Sequence, residues 1–209
     1  MESIFFLDRV SIISKKKSIN NINIEIKRGD FFVIQGSNAT GKSLLLKLFY
    51  FKVLPSMGSL YLRGKKISTE SKKEIIDFRK KMGVILQNDY LIPFFSVFQN
   101  IELASRIQNS KKDFSNRMSE ISGWLELDTI KNEKVINLSN SQKQKVVIAR
   151  ALINNPSVII ADQPETFLDK ESRKKIFFLF ESLSKIGSTI IMTTNNLSNI
   201  NVKHKVLEL

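Results

Sequence analysis

The strongest constraint in this sequence is the segment 36–43, which matches the pattern Gly-x-x-x-x-Gly-Lys-Ser. It follows the apolar run 31–34, typical of a strand buried on both faces, and precedes the helix-like segment 44–51. Glycine lacks a Cβ atom, so the main chain can curl and turn successive N–H groups towards one anion. The following helix adds the positive end of its dipole. The segment predicts a phosphate-binding loop. Its residues are Gly36, Ser37, Asn38, Ala39, Thr40, Gly41, Lys42 and Ser43.

Two side chains of this loop and one distant carboxylate define the expected ligand. We expect the Lys42 ammonium to reach the β- and γ-phosphates of a nucleoside triphosphate, and the Ser43 hydroxyl to ligate Mg²⁺. Asp162 ends the apolar run 158–161 and is a second expected Mg²⁺ ligand. An alternative is a glycine turn between a strand and a helix that carries a lysine by chance. The strand before and the helix after favour the phosphate-binding interpretation.

Apolar periodicity predicts strands that alternate with helices. Short apolar runs at 83–86 and 189–192 are typical of buried strands. Apolar side chains in the segment 114–125 recur along one stripe, as in an amphipathic helix. Ser139 is placed to cap a further helix that runs to residue 152. This alternation predicts an α/β fold with a mainly parallel sheet.

Length and composition narrow the class of protein. With 209 residues, 42% apolar and 25% charged, the chain is expected to fold as one globular domain. The absence of cysteine excludes disulfide frameworks, thiolate zinc sites and cysteine nucleophiles. No apolar run approaches the ~20 residues that span a bilayer, and the N-terminus lacks a secretory signal, so we expect a cytosolic protein.

The formal net charge of +13 suggests a nucleic-acid or anionic-membrane partner. The lysines, however, are spread over clusters such as 15–17, 65–66 and 72–73 and form no single stripe. Solvated surfaces explain scattered clusters of this kind, so we expect no specific nucleic-acid partner.

The order of motifs points to a family. The phosphate loop, Gln87, the segment 138–142, Asp162 and the pair 168–169 resemble, in that order, an ABC-type ATP-binding subunit. The resemblance implies the P-loop NTPase fold of ABC ATPases, with a mainly parallel core sheet and an antiparallel β edge. It also implies a single domain over 1–209, with a helical subdomain inserted at approximately 90–140.

The resemblance also implies roles for individual residues. Gln87 would contact both Mg²⁺ and a membrane partner, and would complete the metal set with Ser43 and Asp162. The signature residues would open a helix that meets the γ-phosphate of the opposing subunit, in a homodimer or a heterodimer. They are Ser139, Asn140, Ser141 and Gln142.

Within the family, the segments 46–50, 78–88 and 205–209 are similar to the FtsE group of cell-division ATP-binding proteins. That similarity implies an FtsX-like transmembrane partner and a peripheral position on the cytoplasmic face of the inner membrane. Two alternatives remain open. One is the ATPase subunit of an ABC exporter or lipoprotein-release system, and the other is a non-catalytic scaffold.

Two departures from the family pattern bear on catalysis. Gln163 stands where the family has the Glu that polarises the attacking water, and Asn195 stands where it has the switch His. An amide can hold water but cannot take its proton, and general-base help contributes about 10²–10⁴ in rate. Slow or absent hydrolysis is therefore expected. Glu165 is a candidate displaced base, but Pro164 is expected to start a helix and to direct this carboxylate elsewhere.

Two further departures bear on binding. Asn140 and Ser141 replace two signature glycines, and their side chains should lengthen the approach to the partner's γ-phosphate. Ile13 stands where the family has an aromatic residue that stacks on adenine. Phe5 or Phe6 is a possible substitute for it, although core packing is the role that we expect for both.

Overall fold

The computed structural model describes residues 2–14, 17–37, 39–88, 90–106, 114–195, 197, 200 and 203–209. The strands are β1 (Ser3–Ile13), β2 (Ser18–Lys27), β3 (Phe31–Gln35), β4 (Met57–Leu62), β5 (Lys65–Lys66), β6 (Met82–Ile85), β7 (Val158–Asp162), β8 (Thr189–Thr194) and β9 (Lys205–Glu208). Within the described residues they form two sheets. A five-stranded parallel sheet has the order β6-β7-β8-β3-β9, and a four-stranded antiparallel sheet has the order β2-β1-β4-β5.

The helices connect these strands. They are α1 (Lys42–Phe49), α2 (Lys72–Arg79), α3 (Val97–Arg106), α4 (Phe114–Leu125), α5 (Asn140–Leu152) and α6 (Lys170–Lys185). Two 3-10 turns, 128–130 and 135–137, lie between α4 and α5. In the part of the chain that the structure describes, no helix has the length and apolar character needed to cross a bilayer.

The central parallel strands β3, β7 and β8 are buried on both faces because their side chains alternate between two apolar cores. In β3, Phe31 and Val33 belong to one core, whereas Phe32 and Ile34 belong to the other. Helices α3, α4, α5 and α6 contribute to the first core, and α1 with the antiparallel sheet builds the second. The predicted α/β fold, with its parallel core and antiparallel part, is confirmed.

The predicted cap of α5 is also confirmed. Ser139 is the N-cap, and its hydroxyl accepts a hydrogen bond of 3.2 Å from the Gln142 N–H. The Gln142 side-chain oxygen accepts one of 2.9 Å from the Ser139 N–H, which completes a capping box. Two of the four signature residues therefore fix the start of α5 in this chain.

One glycine holds β6 close to α5. A Cβ atom on Gly83 would lie 2.4 Å from the Ala151 carbonyl oxygen, whereas one on Gly123 of α4 would lie 3.8 Å from the nearest atom. We expect Gly83→Ala to lower the free energy of unfolding by about 1–3 kcal/mol. The matched control Gly123→Ala should raise it by about 0.5–1 kcal/mol, since alanine favours helix. Urea unfolding measures both, and equal effects would contradict this packing.

Candidate functional site

The candidate site lies at the carboxyl edge of the parallel sheet. The loop follows β3, and the β3–β8 register places Gln35 beside Thr194. The β7–β8 register places Asp162 beside Thr193. Three adjacent strands thus deliver the loop, the carboxylate and the end of β8 to one edge, where ligands of open α/β sheets bind.

The loop turns into α1 through left-handed backbone. Gly41, the N-cap of α1, has a φ of 112°, and the N–H groups of Leu44 and Leu45 donate to its carbonyl. Ala39 also has a positive φ, 72°, a conformation that is unfavourable for a residue with a Cβ atom. Asn38 lies outside the described residues. Left-handed backbone of the kind that the motif predicts is therefore present after that residue, at Ala39 and Gly41.

Lys42 is buried and faces its own loop. Its Nζ donates to the Gly36 carbonyl at 2.5 Å and to the Ser37 carbonyl at 2.7 Å. Burial lowers the pKa of the Lys42 ammonium below its ordinary value; the nearby Lys17 acts in the same direction, and the Asp162 carboxylate opposes both. The ammonium is held where an anion inside the loop would meet it.

A cavity of about 530 Å³ opens beside the loop. Six of the residues predicted for the site line it. They are Ala39, Gly41, Lys42, Ser43, Gln87 and Gln163. Sequence reasoning missed two further lysines in its wall, Lys17 and Lys47. Lys17 belongs to the cluster 15–17 that we interpreted as solvated surface, yet its ammonium donates to the Ala39 carbonyl.

Thr193 is another residue that sequence reasoning missed. Its hydroxyl donates to the buried Asp162 carboxylate at 2.6 Å and accepts from the Gln163 N–H at 3.0 Å. Gln163 has a φ of 49°, so the chain turns sharply directly after the strand. Thr193 therefore fixes both the carboxylate expected to hold the metal and the residue expected in place of the family Glu.

The expectation that Pro164 starts a helix is wrong. Residues 163–167 form a turn, and α6 begins only at Lys170, capped by the Asp169 carboxylate. The Gln163 N–H is bonded to the carbonyl and to the hydroxyl of Thr193, which holds the turn on β8. The helix thus begins beyond this anchored turn, at Lys170.

The turn directs Glu165 away from the cavity. Its Oε1 accepts a hydrogen bond of 2.6 Å from the Thr194 hydroxyl, and its buried Oε2 has no hydrogen-bond partner among the described residues. Burial raises the pKa of the Glu165 carboxyl above its ordinary value, and the Asp162 charge adds to the rise. The bond to Thr194 and the nearby Arg173 oppose it. Glu165 does not line the cavity beside the loop.

Asn195 lies near the start of the phosphate loop, at a second cavity. With Gly36 and Ser37 it lines this cavity of about 510 Å³, which also includes Gln35, Glu208 and Leu209. Thr40, the remaining described loop residue, donates its hydroxyl to the Ser37 carbonyl at 3.2 Å. The position expected for the switch residue is thus adjacent to the start of the phosphate loop.

The aromatic candidates for base stacking lie elsewhere. Phe5 is fully buried against Phe49 and Phe78, which agrees with the expected role in the core. Phe6 is 43% exposed and packs against Tyr61 on the antiparallel sheet, so its expected core role is wrong. Ile13 is 63% exposed and presents no ring.

The signature residues lie on the first turn of α5. Ser139 and Asn140 are exposed, while Ser141 and Gln142 are half-buried. None of the four lines either cavity of the phosphate loop. Within this chain, the signature and the loop are therefore separate surfaces.

A comparison with known families shows which protein family the chain belongs to. The model for the ABC transporter family matches residues 19–166, which include the loop, Gln87, the signature and Asp162. The chain belongs to the ABC transporter family. A dimeric bacterial ABC transporter cassette, MJ0796, is 30% identical and superposes with a TM-score of 0.87, over 99% of this chain and 94% of that one. The same cassette is known in a post-hydrolysis state bound to ADP and Pi.

Curated relatives within the family carry different names. The methionine import ATP-binding protein MetN of Francisella tularensis subsp. holarctica (strain OSU18) is 38% identical over 181 residues, 86% of this chain. This ABC family chain spans 52%, about half, of that relative's length. FtsE of Bacillus subtilis (strain 168) is 30% identical over 190 residues, covering 90% of this chain and 83% of FtsE. LolD, the ATP-binding protein of the lipoprotein-releasing system of Aquifex aeolicus (strain VF5), is 30% identical over 200 residues. The match covers 95% of this chain and 89% of LolD.

The burial of Glu165 predicts a pH effect on stability. A carboxyl whose pKa is raised by folding contributes stability below its unfolded pKa, and this contribution is lost as the pH rises through the folded pKa. We expect Glu165→Gln to remove this dependence. The free energy of unfolding of the wild type, minus that of the variant, should fall as the pH rises above 4.5, the ordinary pKa of a glutamate.

Denaturant unfolding at a series of pH values measures this difference. Glu133→Gln, at an exposed glutamate, is the matched control and should leave the difference flat. Parallel curves for the wild type and Glu165→Gln would contradict the burial of this carboxyl.

Proposed function

We propose that this chain is the ATP-binding subunit of an ABC complex and that it binds ATP with Mg²⁺ at the phosphate loop. The single observation that carries the proposal is the buried Lys42, whose ammonium is held by the loop carbonyls of Gly36 and Ser37 at the carboxyl edge of the sheet. A triphosphate chain entering the loop would replace those carbonyls as the partner of the ammonium. The loop N–H groups and the start of α1 would bind the remaining phosphate oxygens.

The residues around the loop suit Mg²⁺. Ser43, Gln87 and Asp162 offer a hydroxyl, an amide oxygen and a carboxylate, which are the hard oxygen donors that this ion prefers. Ser43 and Gln87 line the cavity, and Thr193 fixes the Asp162 carboxylate. When bound, the ion would neutralise charge on the phosphate oxygens.

Dimerisation is the proposed consequence of ATP binding. The exposed first turn of α5 carries the signature residues, and they lie apart from the loop of their own chain. They would instead meet the triphosphate held by a second cassette, in a homodimer or a heterodimer. The dimeric arrangement of the cassette MJ0796 supports this proposal.

We also propose that the complex is FtsE-like, with an FtsX-like transmembrane subunit at the cytoplasmic face of the inner membrane. The segment 90–140, proposed as a helical subdomain, and the Gln87 region would dock on that partner. The coverage of 83% of FtsE supports the assignment, and the segments 46–50, 78–88 and 205–209 carry it. LolD, of which the chain covers 89%, supports the second candidate, an ATPase subunit of a lipoprotein-release or export system.

The binding proposal predicts the effect of one lysine. We expect Lys42→Ala to reduce the affinity for ATP·Mg²⁺ at least tenfold, because the phosphates lose a charge-assisted hydrogen bond. Calorimetric titration measures the affinity, and Lys52→Ala, at an exposed lysine, is the matched control. A scaffold that binds no nucleotide would show no ATP affinity in either variant and no thermal stabilisation by ATP.

Slow hydrolysis is the second prediction. Gln163 lines the cavity but has no group that can take a proton from water, so turnover should stay below the ~1–10 s⁻¹ typical of enzymes. The double substitution Gln163→Glu with Asn195→His should raise the phosphate release rate by about 10²–10⁴. Adding Lys42→Ala to it is the control and should abolish the gain. Unchanged turnover in the double variant would show that these positions do not limit hydrolysis.

A further inference from the structure

The wall of the cavity beside the phosphate loop is positively charged. It holds three ammonium groups, those of Lys17, Lys42 and Lys47, and none of its described residues is acidic. Asp162 does not line this cavity; it is buried and accepts a hydrogen bond from the Thr193 hydroxyl. The charge of this wall complements a polyphosphate chain, which carries several negative charges close together.

The same wall offers no surface for stacking a base. Every Phe, Tyr and Trp of the sequence lies in the described part of the chain, and none of them lines the cavity. Ile13, next to the lining residue Ser14, is exposed but aliphatic. Stacking on an aromatic ring contributes about 5- to 150-fold in affinity per base where it has been measured. A ligand in this cavity lacks that contribution.

Lys17 lines the cavity and contacts the phosphate loop. It follows Ser14 by three residues, and its ammonium donates to the carbonyl of Ala39 in the phosphate loop. Lys42 bonds to the Gly36 and Ser37 carbonyls of the same loop, so both ammonium groups lie at the loop and line one cavity. An anion bound in the loop would pair with both charges. Lys17 is therefore placed to bind the phosphate chain together with Lys42.

We propose that the site selects its ligand by the triphosphate chain and not by the base, and that Lys17 supplies the affinity that base stacking would otherwise give. This inference rests on the proposed binding of a nucleotide at the loop. Its ligand class is wider than ATP: purine and pyrimidine nucleoside triphosphates and inorganic tripolyphosphate bind with similar affinity.

The test compares four probes on the full chain in the presence of Mg²⁺. ATP, GTP, CTP and inorganic tripolyphosphate are titrated by calorimetry. We expect their dissociation constants to agree within about threefold. ATP binding more than tenfold tighter than GTP and tripolyphosphate would overturn the inference and leave the proposed function standing. No binding of any probe at millimolar concentration would overturn both.

Two substitutions test whether Lys17 supplies affinity for the phosphate chain. Lys17→Met should weaken all four probes by a similar factor, about tenfold, since each loses the same charged partner. Lys52→Met, at an exposed lysine outside the cavity, is the matched control and should leave all four unchanged. Loss of affinity for the nucleotides but not for tripolyphosphate would show that Lys17 contacts base or ribose, which overturns its assigned role.

The substitution Ile13→Tyr adds an aromatic ring next to the cavity and tests whether stacking then strengthens nucleotide binding. It should strengthen binding of ATP and GTP by about 5- to 150-fold while tripolyphosphate binding stays the same. Equal affinities before and after the substitution would overturn the stacking argument. Because Ile13 is 63% exposed, the variant is expected to fold, and a thermal melt tests this.

Lys17→Arg, which keeps the charge, should retain most of the wild-type affinity for all four probes.

Discussion

Parallel pairing of β3, β8 and β7 positions the phosphate loop, Asp162 and Thr193 at one edge of the sheet. The register sets Gln35 beside Thr194 and Asp162 beside Thr193, so the loop and the carboxylate lie two strands apart on the same edge. Burial of these strands on both faces fixes that register, because a shift of one residue would exchange the two apolar cores. The hydroxyl of Thr193 then holds Asp162, and β8 also anchors the turn that follows β7. The geometry of the site is thus a consequence of core packing.

The groups expected to bind a triphosphate are all present in this site, whereas the groups expected to catalyse its hydrolysis are not. Lys42, Ser43 and Asp162 keep the charges and oxygen donors that a triphosphate with its metal needs. Gln163 and Asn195, which we expect at the positions of the family's base and switch residue, carry neutral amides. A site of this kind can take up a ligand and change the association of its cassette while leaving the ligand intact. Under the proposed function, a membrane partner would sense nucleotide binding rather than turnover.

Much of the fold and of the phosphate loop could be predicted from the sequence, because the patterns involved lie within short segments of the chain. The glycines and Lys42 of the loop, the apolar run before Asp162, and Ser139 as a cap each depend on residues close in the chain. Contacts between distant residues were not predictable. Lys17 meets Ala39 across 22 positions and Thr194 meets Glu165 across 29, and neither pair has a pattern in sequence. The helix expected at Pro164 failed for the same reason, since its turn is set by bonds to β8 on a separate segment.

The central claim is that the main chain of residues 36–43 takes hold of a triphosphate. Amide hydrogen exchange in the presence and absence of ATP and Mg²⁺ tests it most directly, because it reports the loop N–H groups themselves. The account predicts that exchange in the peptide covering this loop slows at least tenfold with ATP, while exchange in α4 does not change. Loop exchange that is identical with and without millimolar ATP would contradict it.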